Sequence, residues 1–292
     1  MTVKNAQVKS SLALLIEEKL GITMIKKPFR GNHSGSDDSY SAKGKTQIDY
    51  VVQSNQSPLK RALKRQQLSK IQRQLNIETI MGQALALCPD VTSRGRPDPD
   101  WLEHFIGLAE DIANQAMQKL WAKILVGETV SPGTFSIKSL QTLKLMTQRE
   151  ATALQKCAPL CGYLEKEDSY LILIGYYKKP SFFDLLKKGN KESINLSKAG
   201  LSFPNILTLM DIGLLYRKEI ESSNLKPETP FTLSFQGKKL ILTPKSNELV
   251  LSYYKLTQTG DELKKLITMP INKQYKNQLE HIFSEEFECQ WT

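Results

Sequence analysis

The sequence predicts a mainly α-helical chain with a smaller α+β part, and three observations carry that expectation. Apolar residues recur at spacings of three and four from Trp101 to Leu125 and again from Leu140 to Leu154, the period of a helix with one buried face. Strand formers gather only after Gly162, in the run Tyr170 to Tyr177 and again in Val250 to Leu256. Pro58 opens a stretch that meets no further proline before Leu87, long enough for an extended helix.

Composition sets the class. The chain has 292 residues, 40% apolar and 24% charged, which is ordinary for a folded protein with a sizeable core. No run of 18 apolar residues occurs. The stretch Ser11 to Ile16 is short, runs into Glu17, Glu18 and Lys19, and is followed by no small-residue cleavage site. The expectation is therefore a cytoplasmic protein with no membrane segment. Cys88, Cys157, Cys161 and Cys289 form no disulfide-scaffold pattern, so reduced thiols are expected.

The elements follow in order. Residues 1–25 hold a short helix, with Leu12, Leu15, Ile16 and Leu20 at helical spacing. Residues 26–55, with Gly31, Gly35, Gly44 and many serines, read as a flexible linker. A basic long helix is expected over 56–87, with Ser57 as its cap and Pro58 in its first turn. After a loop of breakers, residues 98–162 read as a helical hairpin. Its first helix starts at an Asp100/Glu103 capping box and ends near Gly127; its second is capped by Ser136. Residues 163–268 are the α+β part, with a helix over Ser202 to Ile212 and a strand hairpin around Gln236-Gly237. Residues 269–292 are read as a helical tail that ends on Glu285, Glu286 and Glu288.

Charge is uneven along this layout. The net charge is +10, and residues 1–99 carry 16 Lys and Arg against 8 Asp and Glu, whereas the remainder is nearly balanced. Between Tyr50 and Ile77 there is no acidic residue, but there are Lys60, Arg61, Lys64, Arg65, Lys70 and Arg73. Such an arm meets a polyanion, nucleic acid or an acidic protein surface, or stays solvated. These six residues, with Lys238 and Lys239 of the strand hairpin, are the candidate nucleic-acid contacts.

The hairpin carries a resemblance. Asp98-Pro-Asp-Trp101, Gln118, Leu120-Trp121-Ala-Lys-Ile-Leu125, Gly127-Glu128 and Pro132-Gly133-Thr-Phe135-Ser136 stand in an order that resembles an uncharacterised, largely gammaproteobacterial family of unknown function. The resemblance covers roughly 57–268, and some relatives of the hairpin are abortive-infection or phage-defence proteins. The family has no established activity, so the resemblance carries over no catalytic residue. Each motif position also has a packing explanation: Trp101 and Trp121 as apolar anchors, Gly127 and Gly133 as turn residues, Ser136 as a cap.

A second resemblance lies further on. Gly213-Leu-Leu215 after a helix, then strands, then Leu256-Thr-Gln-Thr-Gly260-Asp-Glu-Leu263, resembles a winged-helix module with an enlarged wing. A winged helix implies DNA binding, yet the segment Leu201 to Ile212 has no Lys or Arg and contains Asp211; only Asn205 suits base reading. The protein-contact form of the module is the better fit.

Enzymatic signals are sparse. Cys157 and Cys161 have the i, i+4 spacing of paired thiolate ligands, but no second Cys/His pair completes a zinc set. His104 follows Glu103, His33 lies in the linker and His281 in the tail, so no triad is visible, and no phosphate-binding glycine motif occurs. No cofactor and no metal are expected. The sequence thus reads as a non-catalytic interaction protein acting through a protein partner or self-association. A nucleic-acid-binding regulator and an enzyme of unrecognised chemistry stand as the alternatives.

Overall fold

The structure is a computed structural model describing residues 11–20, 22–27, 49–53, 57–88, 95–179, 191–227 and 229–292. The chain divides into two compact units, Met1–Glu78 and Thr79–Thr292.

In the first unit, helix α1 (Ser11–Leu20) precedes strand β1 (Thr23–Lys27), which pairs antiparallel with β2 (Asp49–Gln53). The linker reading of 26–55 is corrected at its ends. Val51 and Val52 suit a strand and pair with Ile25 and Met24, two further strand formers that the glycine count between them obscures. The centre of that span lies outside the described residues, as do residues 1–10. Helix α2 runs Pro58–Leu87, with the Lys60 N–H donating to Ser57 Oγ at 3.4 Å. Its end reaches the second unit, whose core takes up Ile80 and Ala84.

The second unit begins with four helices where two were expected. Helix α3 (Pro99–Ala109) stops at Glu110, and α4 (Gln115–Val130) starts afresh. Asn114 causes the break: its side chain accepts the N–H groups of Ala116 and Met117, an alternative to continuing the helix. The apolar period runs through the interruption because both helices face one core. The cap of α3 is also corrected, from Asp100 to Asp98. Its carboxylate accepts the N–H groups of Asp100 and Trp101, with Pro99 in the first turn. Helix α5 (Ile137–Leu145) is capped by Ser136, and α6 (Gln148–Cys157) by a capping box of Thr147 and Glu150.

The β part is larger than a minor appendage, so the chain is mixed α and β. Among the described residues it is an eight-stranded antiparallel sheet. Strands β3 (Gly162–Leu164), β4 (Ser169–Lys178), β5 (Lys191–Ser193), β6 (Ile220–Glu221), β7 (Phe231–Phe235), β8 (Lys238–Pro244), β9 (Leu249–Lys255) and β10 (Phe287–Trp291) form it in the order β10-β8-β7-β3-β4-β9-β6, with β5 against β4. Strand β4 is its centre, and Leu171 to Tyr176 are all buried. Helix α7 (Phe203–Asp211) precedes β6; α8 (Gln258–Lys265) and α9 (Lys273–Phe283) follow β9. The tail is therefore corrected from helical to helix plus strand. Phe287 drives this: it is buried against Tyr176 and Phe283, which pins β10 beside β8.

Candidate functional site

The family-like motif of the sequence assembles into one buried network. Trp101 stacks on Phe105, whose ring in turn meets Trp121, with centroids 5.2 and 5.3 Å apart. The Trp101 indole N–H donates to the Phe135 carbonyl at 2.6 Å, tying α3 to the turn after α4. Glu128, buried on α4, accepts the Gly133 N–H at 2.6 Å and the Phe135 N–H at 2.9 Å. Gln118 donates to the Ile112 carbonyl and closes the break between α3 and α4. A side chain on Gly127 would begin 2.9 Å from the Phe135 ring, so only glycine allows that approach. Pro132 lies exposed at the turn.

Glu262, which the motif reading omitted, completes the network from α8. Its Oε2 accepts both the N–H and the hydroxyl of Ser136, at 2.6 and 2.8 Å. Two buried carboxylates thus hold the turn from opposite helices, each accepting at least two hydrogen bonds from it. Trp121 is fully buried against Phe105, and among the described residues its indole N–H meets no acceptor.

The Gly213–Leu215 step and the start of α8 also meet. The Thr257 N–H donates to the Leu214 carbonyl at 3.0 Å and its hydroxyl to the Gly213 carbonyl at 2.6 Å. A side chain on Gly260 would begin 2.1 Å from the Leu214 carbonyl oxygen, so the start of α8 packs directly on the Gly-Leu-Leu step. Next in α8, Asp261 accepts from Ser169 Oγ and the Tyr170 N–H, and burial pushes its carboxyl up to about 6.

Helix α7 is the element whose surface was least legible. Ile206 and Leu209 are buried beneath it, and the outward positions are Phe203, Pro204, Leu207 and Asp211. Phe203 is 60% and Leu207 44% exposed, and Tyr216 beyond the helix is 49% exposed. Phe203 also borders an open pocket of about 420 Å³ whose apolar walls include Ile174, Leu201, Ile206 and Tyr254. Asn205, the one base-reading type here, is only half-exposed.

The basic candidates divide. Lys60, Lys64, Arg65, Lys70 and Arg73 are exposed along α2, and Arg61 is half-buried. Lys238 is exposed on β8, while Lys239 pairs with Glu165 at 3.2 Å and Lys245 donates to the Ser284 and Glu285 carbonyls. Of these three, Lys239 and Lys245 are thus engaged within their own unit.

Several further chemistry-bearing groups among the described residues are engaged locally. Cys157 and Cys161 are buried with sulfurs 3.7 Å apart, and the hydrogen bond between them, with burial, pushes the Cys161 thiol well up. Among the described residues no group of three or more His, Cys, Asp or Glu stands close enough to hold a metal ion. His104 Nδ1 contacts the Asp100 carbonyl on an exposed helix face. A cleft of about 700 Å³ between β7, β9 and the Glu165–Glu167 turn has carboxylates that are already partnered. Glu165 pairs with Lys239, Glu167 with Lys255, and Glu221 accepts the Tyr177 hydroxyl.

Residues 60–280, more than half of the chain, match a family described as protein of unknown function (DUF2806). The chain belongs to that family. The DUF2806 match takes in most of α2, the whole Trp101–Ser136 network, α7, and the Leu214–Gly260 contact. It ends within α9, so β10 lies beyond it. Comparison with curated proteins and with solved structures gave no match. Among the described residues no helix is long and apolar enough to cross a membrane.

Proposed function

We propose that this DUF2806 protein is a non-catalytic interaction module whose α7 surface docks a protein partner. The outward face of α7 carries the reading. It presents Phe203, Pro204 and Leu207 to solvent with Asp211 as its single charge. A helix that reads bases presents Arg, Lys, Asn or Gln, and a phosphate-facing one presents cations. An exposed apolar face bordered by a pocket is the chemistry of a protein contact. The contact between Gly213-Leu214 and Thr257-Gly260 supports a winged-helix-like connection, in which the β7–β8 hairpin is the enlarged wing and α7 stands in the recognition position. A role in bacterial phage defence or regulation, in the cytoplasm, is part of this proposal.

A second reading rests on α2, where Lys60, Lys64, Arg65, Lys70 and Arg73 are exposed with no acidic residue from Tyr50 to Ile77. Nucleic acid would then bind the arm and not α7. Fluorescence anisotropy with labelled duplex DNA and RNA across a salt series tests both readings. Binding that weakens steeply with salt, disappears in Lys60→Glu/Arg61→Glu/Lys64→Glu/Arg65→Glu and survives Phe203→Ala/Leu207→Ala adds a nucleic-acid function to the arm. Sequence-selective DNA binding that Phe203→Ala/Leu207→Ala abolishes would overturn the protein-docking reading of α7.

A further inference from the structure

The Met1–Glu78 unit buries few of its described side chains. Among its described side chains only Ala13 and Asn76 are buried, while Leu59, Leu63, Leu68 and Ile71 of α2 are each about half exposed or more. A helix that leaves such side chains in water gains stability when another surface covers them. At about 100° per residue, Lys60, Lys64, Leu68 and Ile71 fall within one face of α2. That face is basic in its first two turns and apolar in the next two. Among the described residues neither Lys60 nor Lys64 has an ion-pair partner.

The same chain carries the complement. From Pro97 to Gln118 there are five acids, Asp98, Asp100, Glu103, Glu110 and Asp111, and no Lys or Arg. Asp100, Glu103, His104 and Gly107 share the outward, exposed face of α3. On this surface Lys144 pairs with Asp111 at 2.8 Å, away from Asp100 and Glu103. Beside Glu103 a shallow groove of about 360 Å³ is lined by Glu103, His104, Gly107 and Leu108. A Cβ on Gly107 would meet nothing within 4 Å, so the helix is notched there. Along α3, as along α2, charge comes first and an apolar seat follows.

We infer that the α2 face of one copy docks on the α3 face of a second copy, and the second copy's α2 on the first copy's α3. Lys60 and Lys64 meet Asp100 and Glu103, and Leu68 and Ile71 lie toward the Gly107 notch and Leu108. Two reciprocal contacts related by a two-fold axis close the assembly as a dimer. This inference rests on the interaction-module reading and names one of its partners, a second copy. Packing α2 against α2 instead would set like charges together, a repulsion that the α2–α3 pairing avoids.

Sedimentation velocity on the full chain tests it, with Lys60→Glu/Lys64→Glu as one variant and Asp100→Lys/Glu103→Lys as another. The unaltered chain sediments as a dimer that dissociates as salt is raised. Each variant alone is monomeric, because its two facing surfaces now carry the same sign. Mixed in equal amounts, the two variants form a heterodimer, since both contacts regain opposite charges. That rescue separates lost docking from lost folding and from lost nucleic-acid binding. A monomeric unaltered chain at every soluble concentration, or an association that both variants retain, would overturn the inference. Association retained by both variants leaves the interaction-module reading intact. Failure of that reading instead shows as DNA binding through α7.

Discussion

Glu262 on α8 accepts two hydrogen bonds from Ser136, which stands 126 residues earlier in the chain, at 2.6 Å from its N–H and 2.8 Å from its hydroxyl. This contact and the Glu128 contacts to Gly133 and Phe135 hold one turn from two sides. Glu262→Gln replaces one acceptor oxygen with an NH2 donor beside the half-buried Ser136 donors, and is expected to cost about 1–3 kcal/mol in urea denaturation. Glu128→Gln should cost a similar amount. Because both act on one turn, the double variant should lose measurably less than the sum of the two. Full additivity would show that the two carboxylates hold the turn independently.

Gly127 is bounded by the Phe135 ring, 2.9 Å from the position its Cβ would take. Gly127→Ala should therefore destabilise by about 1–3 kcal/mol through overpacking, although alanine favours helices. In a Phe135→Leu background the same change should cost clearly less. Equal costs in the two backgrounds would remove the steric explanation.

Asp261 gives a pH dependence with a definite sign. Burial raises its carboxyl from 3.8 to about 6, so the folded state prefers the neutral form. Its contribution to stability is fully present below pH 4, is lost as pH rises toward 6, and is absent above. Asp261→Asn keeps the acceptor for the Tyr170 N–H and offers a donor to Ser169. Relative to the unaltered chain, the variant should gain stability steadily between pH 4 and pH 6.5 in chemical denaturation. A constant difference across that range would contradict the assignment.

How legible all this was in the sequence depended on how local each cause is. The span of α2 follows from Ser57, Pro58 and the next proline at Pro89, and the β7–β8 hairpin from Gln236-Gly237, because turn chemistry acts within a few residues. The break between α3 and α4 was hidden, since the apolar period continues across Asn114 while the side chain of that residue competes for the backbone. Strands β1, β2 and β10 are short and draw their stability from distant partners, Phe287 from Tyr176 above all, so local composition misrepresents them. Of the site, Trp101, Gly127, Glu128 and Ser136 stood out by their order. Glu262 did not, because its role depends on a contact 126 positions away. The exposure of Phe203 and Leu207 was equally hidden, since an apolar residue on a short helix reads as core until the packing is known.

The four cysteines should separate by reactivity. Cys157 and Cys161 are buried, whereas Cys88 and Cys289 are half-buried. In native protein, two thiols should react with a colorimetric disulfide reagent well before the other two, and all four together after denaturation. Peptide mapping should assign the early pair to Cys88 and Cys289. Early modification of Cys161 would mean that the α6–β3 junction opens in solution.

The central claim is that α7 meets protein through its apolar face. Photo-crosslinking from p-benzoylphenylalanine placed at Leu207 in the full chain, in cells, tests it most directly, with Gln141 on the exposed side of α5 as the control position. The account predicts a discrete adduct from position 207 that protease destroys, nuclease leaves intact, position 141 does not give, and a Phe203→Glu change suppresses. Adducts from position 207 that nuclease removes, or none beyond those from position 141, would contradict it.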